Sequence, residues 1–127
     1  MYSAWARKRG MRFDRLSIDG RPAIVFSGLG AYTILAGESG VHALEVPKGQ
    51  QGYERISVLV EIAPLPAGDP QAPLEMRAER ALSAQKRPRR VVRRYRREPS
   101  PLVRDSVRGW RSGRLDLVLA GNFDVVG

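Results

Sequence analysis

The chain has 127 residues, 43% of them hydrophobic and 28% charged, which fits one folded domain with a modest core. The absence of cysteine excludes disulfide scaffolds, cysteine nucleophiles and thiolate metal sites. A formal net charge of +9 favours an anionic partner: nucleic acid, an anionic membrane surface or an acidic protein.

The first half of the chain predicts short helices alternating with strands. Residues 1–9 form a basic amphipathic helix that Gly10 ends, and "MRFDRLSIDG" alternates as a strand with a break in phase near Asp14. "IDGRP" is a turn, after which "AIVFSG" returns as a second strand. "GAYTILAG" predicts a short helix. "VHALEV" and "YERISVLVEIA" predict strands joined by the loop "PKGQQG".

The second half begins with a proline-rich stretch, "PLPAGDPQAP", whose proline density predicts a loop. Strong helix formers follow in "LEMRAERALSAQ", and "LVRDSV" predicts another strand. "SGRLDLVLAGN" predicts a helix with Leu115, Val118 and Leu119 facing inward and Gly121 ending it. Helices and strands do not alternate regularly. The sequence therefore predicts an α+β fold, with helices packed on a mostly antiparallel sheet.

The segment "KRPRRVVRRYRR" carries eight basic residues in twelve and no acidic residue. Like charges this close together repel one another, which favours a partner that neutralises them. A tyrosine within the segment offers a surface on which a base could stack. Val91 and Val92 could instead face a core, and surface charge often serves solubility alone. No apolar face accompanies the charge, so RNA is favoured over a membrane. The predicted RNA-binding residues are Lys86, Arg87, Arg89, Arg90, Arg93, Arg94, Tyr95, Arg96 and Arg97.

His42 is the only histidine and has no second ligand-type residue at metal-binding spacing. We therefore predict a structural role, in which a ring nitrogen bonds to the backbone and fixes the turn after Gly40. "KGQQG" lacks the lysine and hydroxyl residue of a phosphate loop, and "GESGV" does not fit a serine-hydrolase elbow. The sequence predicts no metal site, no cofactor and no catalytic residue.

The order of several motifs resembles the class I peptide chain release factors of bacteria. In that family a helix with a Trp-Ala and basic stretch precedes a strand pair, and a tyrosine-containing turn leads to Gly-Val-His-Arg. A tyrosine, Val-Lys/Arg-Asp, spaced glycines and Leu-x-Gly-x-Leu-Asp lie near the C-terminus, with Phe123 here in place of the last leucine. The match covers about residues 1–64 and 93–124. The matching residues are Tyr32, Gly40, Val41, His42, Tyr95, Val103, Arg104, Asp105, Gly109, Gly113, Leu119, Gly121 and Asp124.

The resemblance implies a fold like the codon-recognition superdomain of release factors, with 1–127 as a single domain. It also implies that the hydrolytic activity is lost, because the Gly-Gly-Gln motif through which the family hydrolyses peptidyl-tRNA is absent. The proline-rich loop and basic segment of 65–92 stand where the family inserts its catalytic domain. Ala43 replaces the arginine after Gly-Val-His, and "KGQQGYERIS" lacks the codon-reading tripeptides, so codon reading by the family's mechanism is not expected.

Two functions follow from these observations. The first is a non-hydrolytic, release-factor-like domain that binds the ribosome, its rRNA or structured RNA through a basic surface. The alternative is a protein–protein adaptor that meets an acidic protein or other domains of a longer chain. An acidic region that precedes the first helix in the family is missing here, which favours a fragment of a larger protein. Neither function is enzymatic, and for both we expect a cytoplasmic location without a membrane partner.

Overall fold

The computed structural model describes residues 1–125, which form four short helices and seven strands. The helices are α1 Tyr2–Lys8, α2 Ala31–Leu35, α3 Leu74–Ser83 and α4 Leu115–Leu117. A 3₁₀ turn, Ala36–Glu38, extends α2, and a wide turn, Val118–Asn122, extends α4. The strands are β1 Arg12–Ile18, β2 Arg21–Ser27, β3 Gly40–Pro47, β4 Tyr53–Val60, β5 Val91–Arg96, β6 Leu102–Asp105 and β7 Trp110–Ser112.

Five strands form one mixed sheet in the order β4-β3-β5-β6-β7. Strands β3 and β5 are parallel, and the other three neighbouring pairs are antiparallel. The parallel pair joins the first half of the chain to the second, with α3 in the long connection that a parallel pair requires. The predicted α+β fold with a mostly antiparallel sheet is confirmed.

Strands β1 and β2 form a separate antiparallel hairpin. At its turn Asp19 and Gly20 both have positive φ, 52° and 76°, which is the backbone geometry of the tight Asp-Gly turn expected from "IDGRP". The pairing continues without interruption from Arg12 to Ile18. The predicted break in phase near Asp14 is confirmed in side-chain burial, because Phe13, Leu16 and Ile18 are the half-buried residues of β1, and it leaves the strand pairing uninterrupted.

The core lies between one face of the five-stranded sheet, called here the core face, and the N- and C-terminal helices. Trp5 and Phe123 are fully buried and stack with ring centroids 6.1 Å apart, while Phe26 of the hairpin contacts Trp5 edge-on. Val118 is also fully buried, but Leu119 is 40% exposed. The inward orientation predicted for Leu119 is wrong, because the wide turn after α4 departs from regular helical periodicity.

The connection between β4 and β5 contains only α3 as a regular element, and the proline-rich stretch before it forms neither helix nor strand. Ala78 on α3 is buried, whereas the residues from Ser83 to Arg87 are exposed. Strand β4 forms as expected, yet Ile56 and Val58 are 53% and 60% exposed because β4 is an edge strand. No helix within residues 1–125 is long and apolar enough to cross a membrane.

Candidate functional site

The basic segment does not form one surface. Its first part, residues 86–90, is a loop before β5 in which all four cationic side chains are exposed, and Arg97 is exposed after the strand. Within β5, Arg94 and Arg96 are partly exposed, whereas Arg93 and Tyr95 are 1% and 8% exposed. This burial corrects the expectation that all nine residues face a partner. Arg93 and Tyr95 belong to the core and are excluded from the candidate interface.

The division follows from strand geometry, since successive side chains of a strand point to opposite faces of the sheet. Arg93 pairs with His42 of β3 and with Asp105 of β6, so it lies on the core face. Trp110 pairs with Asp105 and is 8% exposed, so it also lies on the core face. The alternate residues Arg94 and Arg96 therefore point to the opposite face.

Arg93 is the centre of a buried ion network that contains two carboxylates and two guanidinium groups. Its Nη1 and Nη2 donate to the two carboxylate oxygens of Glu38 at 2.8 and 2.5 Å, and its Nε and Nη2 donate to Asp105 Oδ2 at 3.1 and 2.8 Å. Arg108 Nη1 also donates to Glu38, and its Nη2 donates to the carbonyl of Ile34 at 2.8 Å. The two acids and two arginines balance in charge, so burial leaves no unpaired ion.

The network connects the two halves of the chain. Glu38 comes from the turn after α2, whereas Arg93, Asp105 and Arg108 come from β5, β6 and the loop after β6. The Tyr2 hydroxyl of α1 also donates to Glu38 Oε1 at 2.9 Å. Asp105 Oδ1 accepts backbone N–H groups of the following turn, including that of Arg108 at 2.6 Å. The arrangement therefore fixes β5, which carries the partly exposed Arg94 and Arg96, relative to the first half.

His42 and Tyr95 extend this network. His42 Nε2 lies 2.8 Å from the carbonyl oxygen of Glu38, so Nε2 carries the proton and donates it. Nδ1 is then an acceptor for the Tyr95 hydroxyl at 2.8 Å, and that hydroxyl accepts from Arg93 Nη1 at 3.0 Å. The neutral imidazole thus has both ring nitrogens satisfied, and it links the start of β3, after Gly40, to the turn before it.

The electrostatics of the network follow from its burial. Burial raises the pKa of Glu38, but hydrogen bonds and charge from Arg93 and Arg108 outweigh it and hold that pKa below its usual range. Burial raises the pKa of Tyr95 to about 12. Burial also lowers the pKa of His42, and the nearby Arg93 charge acts in the same direction. The site therefore holds an ionised Glu38 carboxylate, a neutral phenol and a neutral imidazole.

The neutral His42 predicts a pH dependence of stability. The unfolded chain binds a proton at His42 below a pKa of about 6.5, whereas the folded chain resists it because the folded pKa is lower. The stabilisation is complete above pH ~6.5 and is lost as the pH falls towards the folded pKa, by at most about 1.4 kcal/mol per pH unit. Urea unfolding between pH 7.5 and 5.5 measures this slope, and His42→Asn should remove it. Equal or greater stability at pH 5.5 would contradict the assignment of a buried, neutral ring.

The opposite face of the sheet carries arginines that sequence reasoning did not assemble. Strand pairing places Arg94, Arg104 and Arg111 directly opposite one another on β5, β6 and β7. On the adjacent row, Glu45 of β3 lies between Arg55 and Arg96. Directly paired residues share a face of the sheet. We call this surface the arginine face; its members are Arg55, Arg94, Arg96, Arg104 and Arg111.

Within the described strands, Glu45 is the one carboxylate on the arginine face. It lies 3.0 Å from Arg104 Nη2 and 4.0 Å from Arg94 Nε, so it neutralises only part of the surface. Tyr53 at the start of β4 is 46% exposed, and the Arg96 guanidinium lies 5.8 Å from its ring centroid. The face thus combines guanidinium groups, which suit phosphate, with an accessible aromatic ring.

The two-stranded hairpin, the mixed five-stranded sheet and the packed helices form an α+β fold that resembles the fold of a release factor. One solved structure with this fold is RF2 of Thermus thermophilus, with a TM-score of 0.54 and 16% sequence identity. The similarity covers 99% of this chain and 59% of that chain, which is less than two thirds of its length. No protein-family model and no curated protein sequence matches the chain. The release-factor-like fold implied by the motifs is confirmed.

Proposed function

We propose that this chain is a non-hydrolytic, release-factor-like domain that binds the ribosome or structured RNA in the cytoplasm. One observation carries the proposal: a loop of exposed cations is held on a fold that resembles a translation factor. Arg87 forms an exposed ion pair with Glu61 at 3.3 Å, whereas Lys86, Arg89 and Arg90 form none within residues 1–125. These three side chains are available to contact phosphates.

The proposal includes no chemical step. Neither the connection between β4 and β5 nor any other part of the 127 residues contains Gly-Gly-Gln. His42 is buried with both ring nitrogens in hydrogen bonds, which leaves it no free nitrogen to act as a base. Binding without hydrolysis is accordingly the activity that we assign. Robust ester cleavage of peptidyl-tRNA by the purified chain would be incompatible with that assignment.

A specific observation also supports the adaptor alternative. A groove of about 770 Å³ lies between the hairpin, α2, β4 and α3, and apolar side chains such as Ile24, Leu35 and Val60 line much of it. Ile56 and Val58 leave additional apolar surface exposed on the same edge strand. Contiguous exposed apolar surface is typical of protein-binding sites. Pull-down from cytosol with and without nuclease distinguishes RNA binding from protein binding, because only RNA-mediated association is lost on nuclease treatment.

Binding to purified ribosomes or rRNA should weaken steeply with salt, because each phosphate contact releases counterions. We expect the triple variant K86S/R89S/R90S to lower the slope of log K against log salt by about 2–3. A matched control, K8S/R12S/R21S, removes the same charge from exposed positions on α1 and the hairpin. Filter binding from 50 to 300 mM salt measures both slopes. An equal loss in the two variants would show that net charge alone determines binding, against the proposed site.

A further inference from the structure

We infer that the arginine face is a second binding surface, one that takes the backbone of single-stranded RNA without reading its sequence. The inference rests on the proposed RNA-binding function and assigns a surface separate from the 86–90 loop. It concerns Arg94, Arg104 and Arg111 as a row across three strands, and Tyr53 beside Arg96.

The first argument is that the row of three arginines destabilises the sheet when no ligand is bound. Neighbouring strands lie about 4.8 Å apart, and like charges directly opposite one another destabilise a sheet. Arg94, Arg104 and Arg111 occupy three such positions, and Glu45 contacts only the first two of them. A polyanion laid across the strands would neutralise the charge that Glu45 leaves.

The second argument concerns the class of anion. An acidic protein would need apolar residues at the centre of its contact, and a membrane surface would need an amphipathic element. The centre of the arginine face is charged, and Leu102 at its side is only partly exposed. Nucleic acid requires neither feature, because phosphate contacts supply most of its non-specific affinity.

The third argument selects a single strand. Tyr53 is almost half exposed and stands beside the arginines on the same face of the sheet. Exposed aromatic rings on sheets stack with unpaired bases, which a duplex keeps inside its own stack. Stacking accepts every base, so phosphate contacts with one stacking ring give affinity without sequence preference. This differs from codon reading, which requires contacts to base edges.

The test compares binding of labelled 12-nucleotide oligo(U), oligo(A) and an RNA duplex of the same length to the parent chain and to four variants, one of which is K86S/R89S/R90S. We expect R94S/R104S/R111S to weaken oligo(U) binding at least tenfold and to lower its salt slope by about 2. Tyr53→Ala should weaken binding about fivefold or more without changing the slope, because it removes stacking and no charge. The control is again K8S/R12S/R21S. Circular dichroism and urea unfolding check that each variant remains folded.

The outcomes distinguish the inference from the proposed function. One outcome is that K86S/R89S/R90S no longer binds RNA while R94S/R104S/R111S binds oligo(U) as tightly as the parent chain. The arginine face is then refuted as a binding surface, and the proposed function stands. Absence of binding to oligo(U), rRNA and ribosomes by the parent chain would refute both. Preference for the duplex, or a difference of more than tenfold between oligo(U) and oligo(A), would overturn the single-stranded, sequence-independent assignment.

Discussion

Replacing Glu38 with glutamine is expected to destabilise the fold by about 3–5 kcal/mol, the usual cost of breaking a buried ion pair on one side. Glu38 is fully buried and accepts hydrogen bonds from Arg93, Arg108 and Tyr2. Glutamine keeps the size of the side chain but removes its charge. Asp105 is then the only carboxylate left to balance two buried or half-buried guanidinium groups. Urea unfolding at pH 7.5, monitored by tryptophan fluorescence, measures the loss in the free energy of unfolding.

Glu61 provides a matched control for this prediction, since it is also paired with an arginine but near the surface. Its carboxylate lies 3.3 Å from Arg87 Nε, with 65% of the arginine side chain exposed. Exposed pairs contribute about 0–1 kcal/mol, so Glu61→Gln should have a small effect. If Glu38→Gln cost no more than Glu61→Gln, the buried network would not be a major source of stability. The interpretation of Glu38 as the link between the two halves would then fail.

Lowering the pH should weaken the same buried network and so destabilise the fold. The folded pKa of Glu38 lies below its usual range despite burial, because Arg93 and Arg108 favour the ionised form. The carboxylate therefore stabilises the fold at pH values above its unfolded pKa of about 4.3. That contribution is lost as the pH falls through the folded pKa. The His42 contribution begins to be lost at a higher pH, as the pH falls below about 6.5, so acid weakens the fold first through His42 and then through Glu38.

Local features of the fold could be predicted because they depend on neighbouring residues. The Asp19-Gly20 turn follows from its backbone preference, and Gly10 marks the end of α1 correctly. The parallel pairing of β3 with β5 could not be predicted from local patterns, since it joins residues such as His42 and Arg93. The exposure of Ile56 has the same cause, because only the strand order shows that β4 lies at an edge.

The candidate site was only partly predictable. Alternation within β5 could have separated Arg93 and Tyr95 from Arg94, because a strand of period two cannot expose every residue. Arg104 and Arg111 could not have been assigned to the same surface, since their alignment with Arg94 depends on the register of three strands. Glu38 gave no sequence signal, because nothing nearby in the chain indicates its partners.

The second large effect is expected at Gly121, which lets the C-terminal turn approach α1. Its φ is +100°, and a Cβ placed there would lie 2.5 Å from the backbone nitrogen of Trp5 and 2.8 Å from Trp5 Cα. Backbone atoms cannot move aside as a flexible side chain can. Gly121→Ala should therefore combine backbone strain with overpacking and cost about 3 kcal/mol or more in the free energy of unfolding.

Gly20→Ala distinguishes backbone strain from overpacking, because the φ of Gly20 is +76° and a Cβ there would have no neighbour within 4 Å. Gly20→Ala should thus cost only the strain of a left-handed residue, about 1–2 kcal/mol. The difference between the two variants in urea unfolding measures the contact between the turn and α1. Equal losses would mean that α1 does not pack on this backbone. A greater loss at Gly121 would instead show that burial of Trp5, and with it the placement of Tyr2 against Glu38, requires this glycine.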